Sequence, residues 1–468
     1  MTEEQRSSIT LEETIIQELA SHLRGALIRP GDADYEQARR VYNAMIDRYP
    51  ALIVRSKDVA DVIASINFAR DHQLTLAVRG GGHNGPGLGT CDNGLVIDLS
   101  DMRGIRVDPV ARTVRVEGGC TWGDVDHATH PFGLATPSGF ISTTGVGGLT
   151  LGGGIGYLAR SLGLTIDNLL SVDMVLADGS FVTATADEHA DLFWAIRGGG
   201  GNFGVVTSFL FQLHPISTVY GGPMLWPLDQ AADVMKFWRD FILHAPQEIN
   251  GWLALITVPP VPSFPQQLHL QKMCAIVWCY CGALEQADEA FQPVRTNMPP
   301  VVDAVGPLPW PELQNHFDAL YPKGLQWYWK TDFFTELSDK AIDLHMKYGA
   351  QLPSMHSTMH LYPINGAVHH VGKDETAFSY REANFAEVIV GVDPNPANNE
   401  RLTSWARDYW MALHPYSAGG GYVNMMMDEG VDYVQAAYRD NYARLAQIKA
   451  RYDPGNLFHV NQNVKPAR

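Results

Sequence analysis

Three short stretches combine glycine with residues able to meet an anion. Arg79-Gly80-Gly81-Gly82-His83-Asn84-Gly85 closes an apolar run. Gly145-Val146-Gly147-Gly148 with Gly152-Gly153-Gly154 forms a second such site, and Gly198 to Gly204 a third. Successive backbone N–H groups in turns of this kind make nests that hold a pyrophosphate without any lysine. Further along, Ser357-Thr358-Met359-His360-Leu361-Tyr362 reads as a strand. Its period-2 alternation points His360 and Tyr362 the same way. Imidazole titrates near neutral pH, which suits it to taking a proton. Gln326-Trp327-Tyr328-Trp329-Lys330 offers a second same-face pair, Tyr328 and Lys330, able to shape a pocket or orient a carbonyl.

These groups need a sizeable scaffold. The chain has 468 residues, enough for two or three domains or one elaborated α/β enzyme. Hydrophobic residues make up 46% and charged residues 18%, the balance of a globular protein with a large core. Twenty-seven of the 44 glycines fall within residues 80–204, where even spreading would put about 12. That stretch needs backbone that turns tightly or approaches a ligand closely. The formal charge of −17 argues against nucleic acid or an anionic membrane as partner, since both call for a basic patch. No apolar run is long enough to span a bilayer, and Met1 to Leu23 reads as neither a secretory signal nor a transit peptide. The five cysteines, Cys91, Cys120, Cys274, Cys279 and Cys281, show no zinc-site spacing. Cys279 and Cys281, alternating in an apolar run, read as buried thiols and Cys120 as structural; the low, odd count suits a cytoplasmic protein, and no metal is expected.

Apolar spacing predicts helices over 11–23 and 57–72, then strands over 74–79, 94–99 and 113–117. The glycine-dense segment 133–163 leaves little room for regular structure, and strands resume at 171–176, 181–184 and 204–213. From about 216 glycine thins and aromatics rise. Long apolar runs at 275–280, 325–334, 357–362 and 385–392 alternate with helical segments at 229–244 and 337–349. This predicts a separate antiparallel sheet backed by helices. A long helix over 431–451 then precedes a turn and the apolar run 457–460.

Two literal dinucleotide fingerprints occur, Gly154 to Ala159 and Gly199 to Gly204. Such a fingerprint must close a strand and open a helix. The first runs into a loop-like Arg160-Ser161-Leu162-Gly163 and the second into a strand. Asp173, near the spacing for a ribose-binding acid, lies inside an apolar run. A nicotinamide site is therefore not expected.

The ordered set of motifs resembles the FAD-linked oxidase family of vanillyl-alcohol oxidase and p-cresol methylhydroxylase, and more narrowly its berberine bridge enzyme branch. The marks are Arg79 to Asn84, Gly145 to Gly156, Asp167-Asn168-Leu169, Gly198 to Val206, Tyr422-Val423-Asn424, Tyr452 to Asn456 and Asn461-Gln462. The resemblance covers about residues 45–215 and returns at 421–465. It implies an α+β fold: a bipartite α/β FAD-binding domain over 1–215 and 416–468, interrupted at 216–415 by a substrate domain with a large antiparallel sheet backed by helices. The expected cofactor is FAD, bonded covalently through His83 alone. Ile141 stands where many relatives have a second, cysteinyl tether, so the pattern is like the bacterial members with one histidyl bond, such as 6-hydroxy-D-nicotine oxidase. The resemblance assigns cofactor contacts to Arg79, Gly80, Gly81, Gly82, His83, Asn84, Gly87, Gly145, Val146, Gly148, Gly152, Gly153, Gly154, Gly156, Asn168, Gly204, Val205, Val206, Tyr422, Asn424 and Asn461.

The implied activity is that of an oxidase. A hydride passes from an alcohol, amine or activated ring carbon of a small aromatic or apolar molecule to flavin N5, and dioxygen takes the electrons, giving hydrogen peroxide. Thr144 holds the position whose size sets oxygen access in the family, and it is the size of valine. The family's usual base tyrosine is Met425 here. His360 is therefore the first candidate base, with Tyr362 as partner and Tyr328 and Lys330 as further pocket residues. Tyr157 and Arg160 could sit near the ring, His369 and His370 read as surface residues, and Met425 to Met427 as core packing. A dehydrogenase, a monooxygenase or oxidative cyclase of secondary metabolism, and a non-catalytic flavin-binding protein are the alternatives. The small-molecule substrate and O2 are the expected partners; the oligomeric state is open.

Overall fold

The computed structural model describes residues 11–262 and 264–468. Its first sheet has four strands in the order Ala26–Ile28, Leu52–Arg55, Leu95–Asp98, Leu76–Arg79. The last three run parallel. The crossover between Leu52–Arg55 and Leu76–Arg79 is the helix Val59–Asp71, whose first N–H groups are capped by the Asp58 carboxylate. Val62, Ile66 and Ala69 bury its apolar face. Parallel strands place ligand-binding loops at their carboxyl ends, and the first glycine turn follows Arg79 at such an end.

A second, five-stranded antiparallel sheet follows, in the order Ile105–Asp108, Thr113–Glu117, Val205–Gln212, Leu169–Val175, Phe181–Thr185. The expected strand positions agree with these to within a few residues. The segment 133–163 is more regular than its glycines predict. It holds two short helices, Val146–Leu151 and Ala159–Leu162. Glycine lowers helix propensity, yet here the tertiary environment overrides it.

The third sheet has eight antiparallel strands. Its order is Val302–Asp303, Thr218–Pro227, Lys272–Tyr280, Ile249–Thr257, Thr358–Pro363, Phe385–Asp393, Gln326–Phe334, with Gly306–Pro309 also on Thr218–Pro227. One face packs on helices Ala231–His244, Asp339–Gly349 and Asn399–Leu413. The other buries Trp252, Trp327, Trp329 and Tyr362 against residues of the glycine-rich half, including Tyr157 and Ile155. Two-sided burial explains why its strands read as continuous apolar runs.

The expected helix 431–451 is two helices, Val431–Tyr438 and Asn441–Tyr452. Arg439 between them has φ +46°, which helical backbone cannot continue through. The apolar run 457–460 forms no strand. This C-terminal stretch packs into the same core as the five-stranded sheet, through Val423, Met426, Tyr438, Leu445 and Val464.

Candidate active site

The three glycine turns, far apart in sequence, line one cavity of about 310 Å³. The first and second turns touch backbone to backbone. A Cβ on Gly81 would lie 2.5 Å from the Gly145 nitrogen, and one on Gly145 would lie 2.4 Å from the Gly81 nitrogen. No side chain fits there. Gly81→Ala must therefore push the two turns apart, and the expected outcome is a protein that folds but retains less than a tenth of the bound flavin, read by absorbance of the purified protein.

The C-terminal stretch holds the third turn. Lys449 is fully buried and its Nζ donates to Asn202 O at 2.6 Å, Phe458 O at 2.9 Å and the Asp453 carboxylate at 2.6 Å. Asp453 also accepts from the Leu457 and Phe458 N–H groups. The Asn202 side chain completes the clamp, accepting from Val464 N and donating to Gln462 O. Lys449→Met would leave Asp453 charged and buried. The expected loss is about 3 kcal/mol of stability, near the low end for a broken buried pair because two N–H donors still serve the carboxylate. A denaturant titration checks it.

Of the expected cofactor contacts, Arg79, Gly80, Gly81, Gly82, His83, Asn84, Gly145, Gly148, Gly204, Val205, Val206, Tyr422, Asn424 and Asn461 line this cavity. Seven others do not. Val146 is a core residue. The Asn168 amide donates to Leu162 O and Leu164 O, while its oxygen faces His214 at 2.6 Å. Gly87, Gly152, Gly153, Gly154 and Gly156 stand one layer behind. There an added Cβ would meet Ile46, Asn424, Phe378, Thr165 and Ser138 respectively. These glycines allow chain-to-chain packing rather than close approach to a ligand.

A second cavity of about 180 Å³ lies between the glycine turns and the eight-stranded sheet. The two cavities share His83, Phe140, Ile141, Thr144, Trp329, Tyr362 and Met425 as walls, so they adjoin. The sheet supplies the far side: Trp252 and Ala254, His360 and Tyr362, Val388 and Val390, Trp327 and Trp329 all point the same way. Met425 thus walls both cavities instead of only packing in the core.

His360 Nδ1 lies 2.6 Å from the Tyr362 hydroxyl, and Trp252 stands against the imidazole with ring centroids 4.8 Å apart. No protein hydrogen bond reaches Nε2 among the described residues. Burial holds the His360 pKa down to about 3 and pushes the Tyr362 phenol well above its usual range, so both are uncharged. His83 stacks on Tyr42 with centroids 4.0 Å apart. Its Nε2 is 3.2 Å from Thr143 Oγ1, which leaves Nδ1 without a protein partner among the described residues. Burial lowers its pKa to about 4, so this imidazole too is neutral.

Tyr328 and Lys330 do share a face, but the face turned away from both cavities. The Tyr328 hydroxyl accepts from Arg407 Nε at 2.8 Å, and Lys330 pairs with Glu429 over the Trp410 ring. The alternation was legible, but which parity met the cavity depended on where the helices pack. Their neighbours Trp327 and Trp329 take the cavity side. Tyr157 lies behind Phe140, edge-on, and lines neither cavity. Arg160 is spent on Asn365 and on the carbonyls of Ala245, Pro246 and Ile249. Cys120 is buried beneath Gly104 O, and His369 and His370 are exposed. Asp173 pairs with Arg115 inside the five-stranded sheet, away from the cavity. Sequence reasoning missed Tyr42, Phe140, Trp252, Trp327, Trp329 and Tyr321; of these only the Trp327/Trp329 alternation carried a signal.

A glycine-lined cradle, apolar walls and a neutral histidine at the joint fit a flavin dinucleotide. Comparison with known proteins agrees. A family model described as FAD binding domain matches residues 50–185, and one described as berberine and berberine like matches 421–465. An FAD-linked oxidoreductase of Dictyostelium discoideum is 33% identical over 457 residues, 97% of each chain. The (R)-6-hydroxynicotine oxidase of Paenarthrobacter nicotinovorans is 27% identical over 95% of this chain and 97% of its own. The crystal structure of 6-hydroxy-D-nicotine oxidase from Arthrobacter nicotinovorans superposes with a TM-score of 0.85 at 25% identity, covering 95% of this chain and 98% of that one.

Proposed function

This chain belongs to the FAD-linked oxidoreductases with a berberine-like C-terminal segment, and we propose that it is an oxidase of a small aromatic or apolar molecule. The observation that carries the reading is the joint between the two cavities, where His83, Thr144 and Tyr362 form common walls. FAD, when bound, supplies the acceptor for a hydride from an alcohol, amine or activated ring carbon.

The chain's own residues do the rest. Backbone N–H groups of the glycine turns would hold the pyrophosphate. His83 would hold FAD covalently through its 8α-methyl, and its unpartnered Nδ1 is the nitrogen we assign to that bond; the methyl would lose a hydrogen, the imidazole its proton, and the flavin would take up the two electrons until reoxidised by dioxygen. Thr143 holds Nε2, and Tyr42 packs flat on the ring. His360 takes the substrate's O–H or N–H proton at Nε2 while Tyr362 steadies Nδ1. Thr144 leaves the joint narrow but passable for dioxygen.

The test is an anaerobic screen of aromatic alcohols, cyclic amines and sugars for bleaching of the flavin absorbance, followed by admission of air. The oxidase reading expects rapid reoxidation with one equivalent of hydrogen peroxide. Slow reaction with air but fast reaction with a quinone would replace it with a dehydrogenase. Incorporation of oxygen into the product would make it a monooxygenase.

A further inference from the structure

We infer that the second cavity accepts its substrate only as an electrically neutral molecule, so that ammonium, carboxylate and phosphate groups are rejected and an amine must enter as its free base. This deepens the oxidase reading and rests on it for the word substrate.

Among the described residues, none that lines the cavity is Asp, Glu, Lys or Arg, although such residues make up 18% of the chain. Ser263, next to the lining residue Phe264, is uncharged as well. The sheet does carry charge, but on its other face. Lys330 and Glu387 alternate with the cavity-facing Trp329 and Val388 and point into the helix layer. Of the polar groups left in the cavity, Tyr321 and Thr144 carry no charge, and burial keeps His360 and His83 neutral. An ion held there finds no carboxylate, ammonium or guanidinium among the described lining residues.

Magnitudes decide the matter for each sign. Moving an ion out of water costs several kcal/mol even after relaxation. An aromatic wall returns only part of that cost to a desolvated cation and nothing comparable to an anion. Both ions therefore lose, the anion more. The chain's net charge of −17 attracts cations from afar, but screening confines that pull to about 8 Å at physiological salt.

The test uses the purified holoenzyme without oxygen, titrated with benzyl alcohol, benzoate and phenyltrimethylammonium, and follows perturbation of the flavin spectrum. Benzyl alcohol is expected to bind saturably and both ions at least tenfold more weakly. Equal affinity for either ion, or no perturbation by any of the three, would overturn the inference. Thr257→Asp, at the half-buried cavity edge, supplies the missing countercharge. It should strengthen phenyltrimethylammonium binding relative to benzyl alcohol at least fivefold. An unchanged ratio would mean that shape, not charge, excludes the cation, and would also overturn the inference. Binding is read here without turnover. A neutral probe that binds, while no compound in the screen ever bleaches the flavin, sinks the oxidase reading and leaves this one standing.

Discussion

His360→Ala slows anaerobic flavin reduction by about two to four orders of magnitude, the usual worth of a positioned general base, and leaves the flavin content unchanged. Its imidazole stands on the sheet side of the second cavity, with Nδ1 bonded to the Tyr362 hydroxyl and no protein partner on Nε2 among the described residues. A pKa near 3 makes it a weak base in the resting enzyme. That suffices for an alcohol, because hydride departure would leave a protonated carbonyl, a far stronger acid than imidazolium. The depressed pKa also sets the pH response. The base works when unprotonated, so its contribution persists down through pH 5 and disappears only as the pH approaches about 3. Stopped-flow reduction across pH 5–8 should show no acid limb near the ordinary histidine value. Tyr362→Phe removes the partner at 2.6 Å but not the base, so a loss of about tenfold is expected, one hydrogen bond's worth. Reduction at the wild-type rate in His360→Ala would end the assignment. An acid limb near pH 6.5 that vanishes in this variant would show that the imidazole titrates normally.

His83→Ala is expected to abolish the proposed covalent attachment of FAD. Acid precipitation of the wild-type protein is expected to carry all of the flavin into the pellet; from the variant, all of it stays in solution. The glycine cradle still binds FAD, so the variant keeps a flavin spectrum before denaturation. An alkylated flavin is the stronger oxidant, and contacts near the ring tune it further. Flavin reduction in the variant is therefore expected to slow about tenfold, a cost of about 1.4 kcal/mol in the barrier. Thr143→Val tests how the ring is held. It removes the partner of Nε2 at 3.2 Å and should lower the fraction of covalent flavin without abolishing it. If wild-type flavin stays soluble after acid precipitation, His83 only packs against the cofactor. If it remains bound in His83→Ala, another residue carries the bond.

Much of the scaffold was legible before any coordinates. The parallel strands around the first glycine turn are short apolar runs between turn residues, and their predicted bounds lie within two residues of those found. The apolar runs at 275–280 and 385–392 became strands of the large sheet for the same reason. What failed did so for local causes. Arg439 breaks a helix that amphipathic spacing would continue. The helix Asn399–Leu413 went unmarked. Val146 and Gly152 sit inside a binding motif yet face the core and a neighbouring loop.

The sequence by itself showed three glycine turns able to hold one anionic cofactor, His83 on the first of them, and His360 and Tyr362 on one strand face. Those are properties of residue type, order and the strand period, all of which the chain carries locally. The tertiary structure alone decided which face of the sheet meets the flavin cradle, and so exchanged Tyr328 and Lys330 for Trp327 and Trp329. Strand alternation offers two equivalent faces. Only the packing of helices Ala231–His244 and Asn399–Leu413 on one of them, from opposite ends of the interrupting segment, leaves the other for chemistry.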